Sequence, residues 1–125
     1  MSPDDRNDIA TLDDLVAACL RVIDYTREAS RSDLDRDDRL LSACCYQIAV
    51  IGEAVKRVSP STRRRHPEVP WKDIAGMRDR LIHGYDSVDL DELWKTATED
   101  VPALLEQVRA ILAIDFEKLR IEGCE

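Results

Sequence analysis

Between Asp38 and Ser59 the apolar residues return every third or fourth position, at Leu41, Cys44, Ile48, Ile51, Val55 and Val58. An α-helix turns once in about 3.6 residues, so this spacing puts all six on one stripe. A helix with one apolar stripe is stable only against other elements that cover it.

The same rhythm recurs on both sides. Ile9, Leu12, Val16, Cys19 and Ile23 mark a helix over roughly Asp8 to Ser30, its apolar face widened by Leu15, Leu20 and Val22. The acidic, serine-containing stretch Ser30 to Asp37 reads as a short solvent-exposed connection. Pro60, Pro67 and Pro70 then punctuate a basic segment that holds at most one short helical turn. A third helix is predicted from Pro70 or Trp71, burying Ile74, Met77 and Leu81 and stopping at Gly84. A fourth opens on Asp89 as N-cap with Glu92 as its third-position partner. It continues through Leu90, Trp94, Ala97, Val101, Leu104, Val108 and Ile111. Pro102 inside that pattern predicts either a kink or a fresh start capped by Asp100. With four Gly and one Phe in 125 residues, the composition agrees with helices rather than strands. The expected fold is all-α, an antiparallel four- to five-helix bundle, with residues 1–125 forming one domain.

Several function classes are set aside at this level. No apolar run reaches the roughly 18 residues a membrane span needs, and Met1 to Asp8 is acidic and polar, so a cytoplasmic location is expected. Cys19, Cys44, Cys45 and Cys124 form no Cys-x-x-Cys pair and have no neighbouring histidine, so neither a disulfide framework nor a metal site is expected. The first three read as small buried hydrophobes and Cys124 as an exposed tail thiol. A net charge of −8 argues against a nucleic-acid partner until its distribution is considered. From Lys56 to His83 there are eight basic residues against three acidic ones, a window of +5 in a chain that is −13 elsewhere. One basic third can present a local anion-binding face.

That window holds both histidines. His66, between Arg65 and Pro67, suits a plain surface role or a contact to phosphate. His83 stands before a Gly at the end of the third helix, five residues after Arg78 and two before Tyr85. At about 100° per residue, Asp79 and Arg80 fall on the same side as His83. Arg78 and Tyr85 align only if the helix persists through Gly84. An imidazole that titrates near neutrality, a permanent cation, a carboxylate and a phenol are the parts of an RNA-cleaving centre. His83 would take the proton of a ribose 2′-hydroxyl and Arg78 would stabilise charge gathering at the phosphate, with no metal or cofactor required. Asp79 would set the imidazole tautomer or hold Arg78 in place. One histidine cannot easily serve both sides of the phosphate, which favours a two-fold dimer. The same Arg and His also suit the C-terminal dipole of a helix for structural reasons alone.

Longer strings add a resemblance. IAGMRDRLIHGY at Ile74 to Tyr85, VDLDELW at Val88 to Trp94, IGEAVKRVSP at Ile51 to Pro60 and PEVPWKDI at Pro67 to Ile74 closely resemble the HepT-like branch of the HEPN superfamily, also known as DUF86. The resemblance extends from the first helix to about Leu112. It implies the toxin of a two-gene toxin–antitoxin module, partnered by a minimal nucleotidyltransferase antitoxin of the MntA type. Arg78, Asp79, His83, Gly84 and Tyr85 match the family signature without a gap. By that resemblance Arg78 and His83 are the ribonuclease residues, in a cleft at the interface of a homodimer or higher even oligomer. Tyr85 matches the tyrosine that the antitoxin silences by AMPylation, which adds bulk and phosphate charge where RNA must sit.

Other residues stay open between two roles. Glu53 either reaches Arg78 or is a solvated helix-face carboxylate. Arg63 to Arg65 either touch RNA or antitoxin or form a solvated charge run. Trp71 and Trp94 read as core or interface aromatics. A non-catalytic helical module that binds a nucleotide or a partner is the alternative function.

Overall fold

The computed structural model describes residues 3–83 and 87–123, with residues 116–123 described by their backbone alone. Helix α1 spans Pro3–Thr26, α2 Asp33–Arg36, α3 Asp38–Arg57, α4 Pro60–Arg65, α5 Trp71–Ala75, α6 Met77–Leu81, α7 Leu90–Lys95 and α8 Val101–Gly123. The all-α expectation holds: among the described residues the only β pairing is one isolated antiparallel bridge, Ile82 with Val88.

Helix α3 forms on its predicted stripe, except that at its start Leu40 is buried and Leu41 only half-buried, and Val58 lies just past its end. Asp37 caps it, the carboxylate accepting from the amides of Arg39 at 3.0 Å and Leu40 at 3.1 Å. Leu40, Cys44, Ile48, Ile51 and Val55 are buried against α1, α5 and α6, while α1 also lies along α8. The centre is thus carried by the three long helices, with Leu12, Leu15, Leu93, Val101, Val108 and Ile111 joining one continuous core.

The other predicted elements are present but divided. The connection after α1 is not merely solvent-exposed. It folds into α2, whose Leu34 is buried, and Arg31 reaches across to Asp91 of α7 at 2.6 Å. The basic linker contains α4, with Pro60 at its first positions and the Ser59 hydroxyl accepting from the Thr62 amide at 3.3 Å. The predicted third helix is split at Gly76 into α5 and α6. The fourth is one rod in which α7 and α8 are joined by a π-helical turn over Thr96–Asp100. Pro102 supplies no amide hydrogen and its ring crowds the carbonyl one turn back, and the wider turn just before it relieves both.

Where the α3 and α4 ends meet, the Arg63 guanidinium donates to the carbonyls of Val55 at 2.9 Å, Lys56 at 3.0 Å and Val58 at 3.1 Å. Arg63 is therefore the C-cap of α3, filling acceptors the helix leaves open. Asp8 lies in the same corner, buried, accepting from the Ser59 amide and hydroxyl and from the Thr62 hydroxyl. Cys19 and Cys44 are buried and Cys45 half-buried, as expected of small hydrophobes, whereas Cys124 lies outside the described residues.

Candidate functional site

The described part of the motif, Arg78 to His83, begins on α6, which with α5 packs against α3. At Gly52 the approach is close: an added Cβ would stand 3.5 Å from the Ala75 carbonyl oxygen and 3.6 Å from that of Ile74, ordinary van der Waals contact. The IGEA string therefore includes a position where a methyl fits but a larger side chain would push the motif-bearing segment off α3.

Arg78 is on α6 with its side chain half-exposed, its guanidinium 3.3 Å from the carboxylate of neighbouring Asp79, which is itself exposed. The Asp79 carboxylate thus lies against the Arg78 guanidinium. His83 is exposed but is not on the helix. The helix ends at Leu81, and Ile82 is already extended at φ −110°, ψ 113°. The expectation that Asp79 and Arg80 share a helical side with His83 is therefore corrected, because the 100° step per residue stops before His83 is reached.

A backbone pinch stops the helix. The Asp89 amide donates to the Leu81 carbonyl at 2.9 Å, Ile82 pairs with Val88, and the His83 amide donates to the Ser87 carbonyl at 2.7 Å. These bonds hold the two ends of the 83–87 segment together and fix His83 at its mouth. Gly84, Tyr85 and Asp86 lie outside the described residues.

Two supporting residues are placed elsewhere. Glu53 is exposed and pairs with Lys56 at 3.3 Å rather than reaching Arg78. Arg80 turns back to α5, donating to the Asp73 carbonyl at 3.0 Å with the Asp73 carboxylate at 4.0 Å, so it laces α5 to α6 across Gly76. His66 is not at the surface. It is buried, its carbonyl accepting from the Trp71 indole N–H at 2.9 Å and its Nδ1 lying 3.4 Å from Glu68. Trp71 is accordingly a core residue whose ring is oriented by that bond.

A cleft of about 450 Å³ between α5, α6, α7 and α8 is lined by Ile74, Met77, Arg80, Glu92, Lys95 and Leu104 among others. Arg78 and His83 do not line it. Its acidic residues, Glu68, Asp73, Glu92 and Asp100, outnumber Arg80 and Lys95, which makes it a poor seat for phosphate. Among the described residues no group of His, Cys, Asp or Glu side chains could hold a metal ion. No described helix is long and apolar enough to cross a membrane.

An exposed guanidinium and an exposed imidazole, separated by the last turn of α6, are the chemically equipped end of the molecule. Comparison with known proteins bears on the same segment. The family model described as ribonuclease HepT-like matches residues 15–111, which include Arg78 and His83.

The chain belongs to the HepT-like family.

A protein of Thermococcus cleftensis named probable ribonuclease HepT is 39% identical over 109 residues, 87% of this chain and 92% of that one. A protein of Caldanaerobacter subterraneus subsp. tengcongensis, named as a candidate RNase, is 39% identical over 101 residues, covering 81% of this chain and 90% of its own. One from Methanocaldococcus jannaschii with the same kind of name is 32% identical over 103 residues, covering 82% and 89%. No solved structure matches the chain at the same level of significance.

Within this HepT-like chain, three features went unnoticed in the sequence. Asp8 looked like one more acidic residue at a helix start, although its proximity to Ser59 and Thr62 spans 51 and 54 positions. Arg63 looked like part of a charge run. The Ile82–Val88 pinch left a faint trace, apolar residues flanking a Gly-containing polar stretch.

Proposed function

We propose that this chain, folded as one domain, is the ribonuclease toxin of a toxin–antitoxin module and cleaves RNA without a metal ion in the cytoplasm. The observation that carries the reading is the Arg78-x4-His83 pair, exposed at a pinched helix end in a chain of the HepT-like family. In the proposed step His83 accepts the proton of a ribose 2′-hydroxyl, and the 2′-oxygen forms its bond to phosphorus. The bond from phosphorus to the 5′-oxygen breaks, leaving a 2′,3′-cyclic phosphate and a 5′-hydroxyl. Arg78, held by Asp79, stabilises the charge on the non-bridging oxygens.

The proton for the leaving oxygen comes from a second copy in a two-fold dimer or higher even oligomer, where two such ends share one cleft. Tyr85 is the control point: a nucleotidyltransferase antitoxin transfers AMP from ATP to its phenol, releasing pyrophosphate. The adenylyl phosphate then occupies and repels the position of the RNA phosphate.

Purified protein is expected to cleave RNA in EDTA and leave cyclic-phosphate ends. His83→Ala should lower the rate by about 10²- to 10⁴-fold, the usual size of a general-base contribution. Full cleavage by that variant sinks the reading, and binding of RNA without turnover by the parent protein favours the non-catalytic module. Incubation with ATP and the neighbouring nucleotidyltransferase should add one AMP to the intact mass, and not to Tyr85→Phe.

A further inference from the structure

Where α4 meets α5 there is a second, open groove of about 610 Å³, lined by Arg63, Pro70, Trp71, Lys72, Asp73 and Ala75. We propose that it is the track along which the phosphodiester backbone of single-stranded RNA runs to the Arg78–His83 end, an assignment that rests on the ribonuclease reading above.

The cations in and beside the groove differ from a solvated charge run in how they are held. Arg63 is fixed by three carbonyls through its Nε and Nη2 donors, which leaves an immobilised charge and the Nη1 donors to face a phosphate. Lys72 is exposed and its ammonium has no partner among the described residues. Lys56 stands beside the groove, its carbonyl accepting from Arg63 at 3.0 Å, and its exposed pairing with Glu53 is of the weak kind that a phosphate can displace. The opposing carboxylate in the groove, Asp73, lies 4.0 Å from Arg80.

Position and charge select the ligand. Ala75, the last residue of α5, lines the groove three residues before Arg78. Lys72 and Arg78 are six residues apart across the Gly76 break, at most about 22 Å by chain length, a reach one strand covers. A chain of net charge −8 repels a polyanion over most of its surface, which confines phosphate to the +5 window that holds this groove.

The test is fluorescence anisotropy of a labelled single-stranded 12-nucleotide RNA, about that length to span the groove and the motif, on full-length His83→Ala protein across a salt series. Adding Lys56→Glu with Lys72→Glu should weaken binding about tenfold or more. It should also flatten the slope of log K against log salt by roughly 1.4, two lost contacts at about 0.7 each for single strands. The charge-matched Arg21→Glu on α1 with Arg27→Glu just past its end should leave affinity in place. Equal loss from both pairs, or none from the first, overturns the groove. If the double variant fails to fold, Lys72→Gln alone should flatten the slope by roughly 0.7, and an unchanged slope is again a refutation. Groove-dependent binding by a protein that never cleaves RNA sinks the ribonuclease reading alone. Cleavage with a groove that can be reversed in charge at no cost to affinity sinks this inference alone.

Discussion

Replacing Asp8 should cost more than any other single change outside the apolar core. Its carboxylate is 3% exposed and accepts from the Ser59 amide at 3.0 Å, the Ser59 hydroxyl at 2.6 Å and the Thr62 hydroxyl at 2.5 Å. Asp8→Ala removes all three acceptor positions. The two hydroxyls already stand 3.4 Å apart and can bond each other, which leaves the Ser59 amide and one hydroxyl proton without a partner. At about 1.5 kcal/mol for each buried group left unsatisfied, the loss is about 3 kcal/mol. For a domain of this size 1 kcal/mol moves the melting temperature by about 4 °C, so Asp8→Ala should melt about 12 °C lower. Asp8→Asn keeps an oxygen acceptor and presents its amide to hydroxyls that can rotate to accept, so about 1 kcal/mol, or about 4 °C, is expected. Calorimetry and urea unfolding followed at 222 nm at about neutral pH measure both. A loss under about 1 kcal/mol for Ala, or equal losses for Ala and Asn, would refute the proposed role of the buried carboxylate.

Gly52→Ala should be tolerated, because its Cβ would sit at ordinary contact distance from the Ala75 and Ile74 carbonyls, whereas Gly52→Val should lose about 1–3 kcal/mol and, by pushing α5 and α6 off α3, cut RNA cleavage. A Val variant that melts and cleaves like the parent would contradict that account of the helix contact. Burial pushes the Cys19 thiol up to about 12 and, with Cys45 beside it, the Cys44 thiol up to about 11, while Cys45 is also raised. Those three should resist iodoacetamide at about pH 8 in the folded protein and react in urea. The sign follows from the neutral thiol being favoured in the fold. The stabilisation is complete below the ordinary value of 9.0 and declines as pH rises from there toward about 12 for Cys19. Cys19→Ala should therefore show a smaller alkaline drop in urea midpoint than the parent, and identical pH profiles would count against it.

The apolar stripe of α3, the Asp89 cap of α7 and the disturbance before Pro102 were legible in the sequence because each is decided within a turn or two of chain. The Arg78-x4-His83 pair was legible as a spacing and as chemistry, but its role came from resemblance along the whole chain. The helix-face geometry assigned to it was wrong at its last step, since Leu81, Ile82 and His83 are claimed by Asp89, Val88 and Ser87. Local periodicity carries no information about such pairings. The same holds for Arg80 and Glu53, which found partners other than the motif, and for Asp8 and Arg63, charges that by composition belonged in water. By itself the sequence determined that the long helices form and which stripes they bury, and it marked the residues proposed to carry chemistry, because those follow from short-range spacing and residue type. Only the tertiary structure decided where the motif helix stops and which cations are already committed to partners, because those depend on groups brought together from distant parts of the chain.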